Sequence, residues 1–332
     1  MIKILNIFYR KRNIEIMIIA LMIDMIWGDP EKIYKKIPHP ICYVGKLIHF
    51  LELKLNKKNK NANIQKRNGF ITLFFNFLVP GLIAHLFQKF VFAFFRPYLA
   101  TFLSGIFGSI FIAHRSLYEH VHAVREKIDQ NDLAGARIAL SHIVGRKTDN
   151  LNMSEICCAT IESLAENFSD GVISPVFWGY IGGLPGLLVF KSINTADSMI
   201  GHLTEQYRNF GYASAKMDDY MNLVPARLSA LLILLTNPKK LFHNLKPVCK
   251  DARKHNSPNA GWPEAAMAYT LNIQLLCPRH YKDHIVESPR IGRERSQLYS
   301  EDICKACKIY YYASFIKLVV LIALYKIMTY FK

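Results

Sequence analysis

Two neighbouring stretches leave this chain little choice of environment. Phe70 to Phe95 carries one charge, Lys89, and Pro97 to Ala113 carries none. Apolar runs of this length can cross the roughly 30 Å hydrocarbon core of a bilayer, where the backbone must satisfy its own hydrogen bonds. We read the two as a transmembrane hairpin, with Pro80-Gly81 as a kink in its first arm. Further apolar segments lie at about 14–27, 172–190, 223–235 and 314–331. The expected fold class is all-α: a polytopic helical membrane protein, one integral membrane domain over 1–332, with re-entrant or broken segments and cytoplasmic helical loops at 28–68, 115–170 and 237–313. A hydrophobic content of 51% fits this reading and argues against an ordinary soluble enzyme.

The formal charge of +17 gives the chain a sidedness. Residues 28–68 hold ten Lys or Arg against three acids, which places that loop in the cytoplasm by the positive-inside rule. No zinc finger, basic-plus-aromatic stripe or other nucleic-acid module is recognisable, so the expected partner of the basic residues is membrane lipid and not nucleic acid. Lys3, Arg10, Lys11 and Arg12 precede the first apolar segment. No small-residue cleavage site follows it, and Gly28-Asp29-Pro30 reads as a turn, so we expect a retained membrane segment, not a signal peptide. Seven cysteines, irregularly spaced, imply a reducing compartment. Cys304-Lys-Ala-Cys307 is a lone CxxC without a second pair, and no metal is expected there.

Ionisable residues concentrate between Glu155 and Arg227. Ser154 is expected to cap a helix running to Asn167, on which Glu162 and Glu166, with Asp170 just beyond, form one acidic stripe at i, i+4 and i+8. The apolar run 172–190 follows, broken by Gly182-Gly183-Leu184-Pro185-Gly186, and delivers Lys191, Asn194 and Asp197. A plain span would separate these residues from the acidic stripe by the membrane. A re-entrant hairpin turning at the glycines would keep both on one face, and two half-segments of about ten residues, each too short to cross alone, favour it over the rival plain span. Asp218-Asp219 then precede Asn222 and Arg227. Later, Asp132 is expected to cap Leu133 to Ile143, and Pro263 to open a helix running to about Leu276. That would set Ser257-Pro258-Asn259-Ala260-Gly261 at a helix N-terminus able to hold a phosphate.

In their order and spacing these motifs resemble one known family, the adenosylcobinamide-phosphate synthases of cobalamin biosynthesis (CobD/CbiB). The resemblance runs from about Ile18 through Asp24, Asp29-Pro30, His39-Pro40, Glu162, Glu166-Asn167, Asp170-Gly171, Gly182-Gly183, Pro185-Gly186, Lys191, Asn194-Thr195, Asp197-Ser198-Met199, Asp218-Asp219, Asn222, Pro225-Ala226-Arg227 and Ser257-Pro258-Asn259-Ala260-Gly261-Trp262-Pro263-Glu264. It implies a multi-pass protein of the cell (inner) membrane, its active site facing the cytoplasm. The implied reaction joins adenosylcobyric acid to aminopropanol or aminopropanol phosphate in an amide ligation, with ATP as co-substrate, Mg²⁺ as cofactor and other corrinoid-pathway enzymes as partners. Two departures stand out. Gly145-Arg146-Lys147-Thr148-Asp149 replaces a Gly-Arg-Asp-Thr pattern, and a glycine pair expected around Leu276-Cys277 is missing. The first seventeen residues have no counterpart, and Met17 is a second candidate start.

Residue chemistry suggests roles. Glu162, Glu166, Asp170, Asp218 and Asp219 are oxygen donors suited to Mg²⁺, which takes one or two carboxylates per ion. Lys191 and Arg227 suit phosphoryl oxygens. Asp197, or else Glu264, can take the proton of the attacking ammonium group. Glu166, Asp170, Lys191 and Asp197 are therefore the candidate catalytic residues, and Asn167, Asn194, Arg227, Asn259, Trp262 and Glu264 the candidate substrate- and nucleotide-binding residues. For each acid alone an ion pair is an equal reading. Two other transferase patterns fail on spacing: Asp170-Gly171 lacks the later residues of a CDP-alcohol phosphotransferase, and Asp218-Asp219-Tyr220-Met221-Asn222 lacks the last acid of DDxxD. A transporter is the non-enzyme alternative, opposed by the large loops and the lack of two similar halves.

Overall fold

The structure, a computed structural model, describes residues 2–57, 61–145, 147–275, 279–280, 285–286 and 290–330. Its helices are α1 (Ile2–Trp27), α2 (Glu31–Tyr34), α3 (Pro40–Leu55), α4 (Ala62–Phe94), α5 (Pro97–Ser109), α6 (His114–Asp129), α7 (Leu133–Ser141), α8 (Met153–Asn167), α9 (Ser174–Ile200), α10 (Tyr212–Leu235), α11 (Leu241–Ala252), α12 (Gly261–Leu271) and α13 (Ser300–Tyr330). The strands are two-residue pieces in two antiparallel ribbons, β1 (Gln274–Leu275) with β4 (Ile291–Gly292), and β2 (Arg279–His280) with β3 (Ile285–Val286). Among the described residues, four helical stretches are long and apolar enough to cross a membrane: Ala62–Phe94, Pro97–Asp129, Met153–Ile200 and Ser300–Tyr330. Along α4, Phe70, Phe74, Phe77, Phe90 and Phe94 each hold more than half of their surface outward, a row that lipid accepts and water does not. The chain is an all-α polytopic membrane protein.

The chain forms two compact units of interleaved segments. The first comprises residues 1–113, 174–222 and 321–332, and the second 114–173 and 223–320.

In the first unit α4 packs on α9, and α1 on α5 and α9. The loop after α1 is held by His39, which caps α3 through Ile41 N–H and places Nε2 3.1 Å from Ile110 O and 3.5 Å from Asp29. α4 runs on through Pro80, whose missing N–H frees the carbonyl of Asn76, and the buried amide of Asn76 has no partner. α9 is two arms. Gly183 has φ 64° and ψ −155°, a region open essentially to glycine, and the helix breaks there. Gly186 lies so close to the Trp178 carbonyl that an added Cβ would sit 2.4 Å from its oxygen. Hydrogen bonds fix the reversal. Ser174, at the start of the first arm, donates to Asn222 Oδ1 (2.6 Å), while Asn194, near the end of the second, donates to Asp218 Oδ1 (3.2 Å). Asp218 and Asn222 are neighbours one turn apart on α10, joined at 3.0 Å. A straight helix would hold Ser174 and Asn194 about 30 Å apart, so the arms must double back. Trp178 closes the hairpin, donating to Met221 O (3.0 Å) and packing with Val189, Phe190, Ile193 and Met221.

In the second unit α6 packs with α7 and α8, and α8 with α12. Asp132 caps α7 through Gly135 N–H, as expected. The cap of α8 is Asn152, not Ser154: Asn152 accepts from Glu155 N–H and Glu155 reaches back to Asn152 N–H, a reciprocal capping box. Ser154 instead donates to Ser296 O and accepts from Leu298 N–H. The helix does not end after Asn167 but widens into a π-helical turn, Phe168–Ile173. α12 stops at Leu271, earlier than the expected Leu276. Asn272 turns left-handed (φ 59°), Ile273 N–H returns to Ala268 O, and the following residues pair with β4. The ribbon is tied down by Asp251, which accepts from Tyr269 O–H (2.9 Å) and Gly292 N–H (3.0 Å) and pairs with Lys254 (2.6 Å). Arg146 and Leu276-Cys277, where the sequence departs from the family pattern, lie outside the described residues; Asp149 is exposed.

Candidate functional site

The predicted residues fall in two groups, one in each unit. In the first unit Lys191, Asn194 and Asp197 follow one another along the second arm of α9, all half-buried, and α10 supplies Asp218 and Asp219. The hairpin makes Asp218 the hub. It is 8% exposed, and its two oxygens accept from Asn194 and Asn222. Burial, then the negative charge of Asp197, pushes its carboxyl well above the usual carboxylate range, and Asp219 adds to the push; the two amide donors oppose it. Asp219 leans toward Lys216 at 3.4 Å. Asn222, 1% exposed, links Asp218 to Ser174 and thereby ties the acid to the hairpin's first arm.

In the second unit Glu162 is buried (3% exposed) and accepts a thiol hydrogen bond from Cys158 at 3.3 Å. Glu166, Asn167 and Asp170 are half-buried, Asp170 lying on the π turn. The wider turn changes its angular offset from Glu166, so the i, i+4, i+8 stripe does not continue with α-helical spacing. Asn167 folds its amide back to Ser163 O (2.9 Å), and Ser163 donates to Ile143 O.

α10 and the loop before α12 build the other half of this group. Ser257 Oγ accepts from Asn259 N–H and Ala260 N–H, each at 3.2 Å, which fixes the loop. Arg227 donates to Leu223 O (2.7 Å), Asn259 Oδ1 (3.2 Å) and Pro258 O (3.4 Å). Its guanidinium stacks over Trp262 at 4.5 Å, and partial burial lowers its pKa. Three of the five guanidinium N–H groups are thus engaged and two remain for a ligand. Glu264, fully buried, faces His255 Nε2 at 3.7 Å. Because His255 Nδ1 accepts from Ser257 N–H (2.9 Å), the ring proton of the neutral imidazole sits on Nε2, toward Glu264. Glu264 is therefore an anchor under the loop, and its burial opposes the alternative reading as a proton acceptor.

Among the described residues no three His, Cys, Asp or Glu side chains gather as metal donors. The donor chemistry of Asp218 still fits a hard cation. A buried carboxylate facing a second one is relieved by a divalent ion, and Mg²⁺ needs few protein oxygens.

Sequence reasoning passed over His255 and the bridging role of Asn222 and Ser174. The i+4 spacing of Asp218 and Asn222 was a usable signal for the second; nothing local links His255 to Glu264.

Comparison with known proteins bears on the whole chain. A "Cobalamin biosynthesis protein CobD" from Sinorhizobium sp is 42% identical over 305 residues, 89% of this chain and 93% of that protein. Proteins of the same name from Rhodobacter capsulatus (40% over 294 residues, 89% and 91%) and Brucella suis (41% over 285 residues, 82% and 85%) are similar at the same level. No solved structure matches. The profile of the family described as CobD/Cbib protein matches residues 17–310, nearly every segment from which both units are built, and the chain belongs to that family.

Proposed function

We propose that this protein is a membrane enzyme of cobalamin biosynthesis, an adenosylcobinamide-phosphate synthase that joins adenosylcobyric acid to aminopropanol or its phosphate with ATP and Mg²⁺. The observation that carries the reading is the family match over 17–310 with relatives near 40% identity, each named for cobalamin biosynthesis. The same relationship disfavours the transporter reading. We place the protein in the inner membrane with its reactive groups toward the cytoplasm, where ATP is, and other corrinoid-pathway enzymes are natural neighbours.

The chemistry asks for an activated carboxylate and an unprotonated amine. In the first unit Asp218, with Asp197 beside it, would hold Mg²⁺, which when bound screens the charges of ATP and the substrate carboxylate. Lys191 supplies a point charge for phosphoryl oxygens, and Asp197 takes the ammonium proton so that the amine can attack. Asn194 and Asn222 donate to Asp218 and partly offset the burial and the Asp197 charge that favour its protonated form. In the second unit Arg227, held rigid by Asn259 and Trp262, offers its two remaining N–H groups to an anionic oxygen. Glu166 and Asp170 orient a cation or a cation-bound nucleotide, and Glu264 with His255 fixes the loop that carries Asn259.

The test is direct. Protein purified in detergent and given adenosylcobyric acid, ATP, Mg²⁺ and either amine should yield the amide, identified by mass spectrometry, with ATP consumed in step. Intact folded protein that gives no amide with either amine and several nucleotides would refute the activity.

A further inference from the structure

The second unit carries a surface that none of the proposed chemistry uses. α11 buries Asn244, Val248, Asp251 and Ala252 on one side. On the opposite side Phe242, Lys246, Lys250 and Arg253 follow at helical spacing, all exposed, with Lys239 and Lys240 exposed on the turn just before it. The only acid between residues 236 and 256, Asp251, points inward and is held by Lys254, Tyr269 and Gly292. The outward face is therefore basic throughout, with one aromatic ring, Phe242, 84% exposed at its leading end.

The chain just upstream is apolar on its exposed side. The apolar end of α10 exposes Val224, Leu228 and Leu231, three residues on one helical stripe, and reaches Lys239 after a short turn. An apolar stripe that feeds into a basic stripe headed by a bare phenylalanine matches the profile of a bilayer from acyl chain to anionic headgroup. A nucleic acid or an acidic protein would complement the lysines and leave the α10 stripe and Phe242 in water. We propose that α11 is an anionic-lipid docking surface: Lys239, Lys240, Lys246, Lys250 and Arg253 bind phosphate headgroups while Phe242 enters the interface. Docking would hold at the membrane surface the segment that leads from α11 to His255 and Asn259.

The full chain, reconstituted in nanodiscs of phosphatidylcholine alone or mixed with phosphatidylglycerol, is treated briefly with a water-soluble acetylating reagent, and modification of each lysine is read by mass spectrometry. Lys246 and Lys250 should react roughly five-fold more slowly in the anionic discs, as expected for about 1 kcal/mol per headgroup contact, and added salt should restore the rate. Lys127, on α6, serves as the reference and should react alike in both discs. Phe242→Ser should weaken the protection without altering the fold, since the ring is exposed. Equal rates in the two discs, or equal protection in both, would overturn the proposal. Protection that appears only when single-stranded nucleic acid is added would reassign the surface to a soluble polyanion.

Discussion

Asn222 is the residue through which the hairpin and the acid hub depend on each other, and Asn222→Leu tests that dependence. The substitution keeps the side-chain volume but removes the acceptor of Ser174 O–H and one donor to Asp218, both in a buried setting. A buried hydroxyl left without its partner costs about 1–3 kcal/mol, and a hydrogen bond to a charged group contributes about 1.5–3 kcal/mol. Together the loss should reach about 3–5 kcal/mol, lowering the Tm by roughly 5–10 °C. Trp178 is a built-in reporter, because its indole donates to Met221 O, one residue away. Its fluorescence should shift red in the variant before global unfolding begins. A pH signature accompanies the loss. Asp218 has a raised pKa in the folded protein, chiefly from burial and then from Asp197. Between its ordinary value and that raised value the folded state holds a proton that the unfolded state does not, so stability falls as pH rises through this window. Losing the Asn222 donor raises the folded pKa further, extends the window upward, and moves the acid limb of any Asp218-dependent activity to higher pH. Unchanged melting, unchanged Trp178 emission and an unshifted profile would together refute the hub.

Gly183→Ala should cost about 1–3 kcal/mol, because Gly183 sits at φ 64° and ψ −155°; near-wild-type melting in detergent would show that the reversal tolerates a side chain. Arg227→Lys removes the planar stack on Trp262 and the fork to Asn259 and Pro258, so KM for ATP should rise about ten-fold with kcat less affected, as steady-state kinetics would show. Glu166→Gln and Asp170→Asn should each lower turnover by about 10²–10³-fold while circular dichroism stays unchanged; full activity in both would leave the two acids a structural role only. Ser169 and Ser192 are buried, so single cysteines at the exposed Asn150 and Ser198, in a background without the native cysteines, should label from the same side of sealed vesicles with an impermeant maleimide. Labelling from opposite sides would refute a re-entrant hairpin.

The sequence makes some of this architecture readable and hides the rest for identifiable reasons. The outward phenylalanines of α4 are written in an apolar run that no soluble fold would present. The break at Gly182-Gly183 is equally local, but its direction is not: reversal depends on Ser174 meeting Asn222 and Asn194 meeting Asp218, contacts that periodicity cannot see. The cap of α8 was legible in Asn152 and Glu155, three residues apart, and Ser154 competed for it on propensity alone. Nothing in Phe168–Ile173 announces a π turn, because its wider spacing arises from packing and not from residue type. In the candidate site the acidic residues stand out through charge, whereas His255 does not, since its partner Glu264 is reached only after the loop has turned.

The interleaving of the two units bears on how the protein is made. The chain passes from one unit to the other near residues 113, 173, 222 and 320, so neither unit is itself a contiguous fragment. During synthesis the second unit cannot close until α13 has emerged as far as Val320, and the first still waits for the residues from Leu321 onward. Contacts that join the beginning of a chain to its end are slow to form and leave apolar surface open in the meantime. A stop codon in the last helix ahead of Val320 would therefore do more than trim a terminus: both units would lose their closing piece, and quality control rather than impaired catalysis would remove the product.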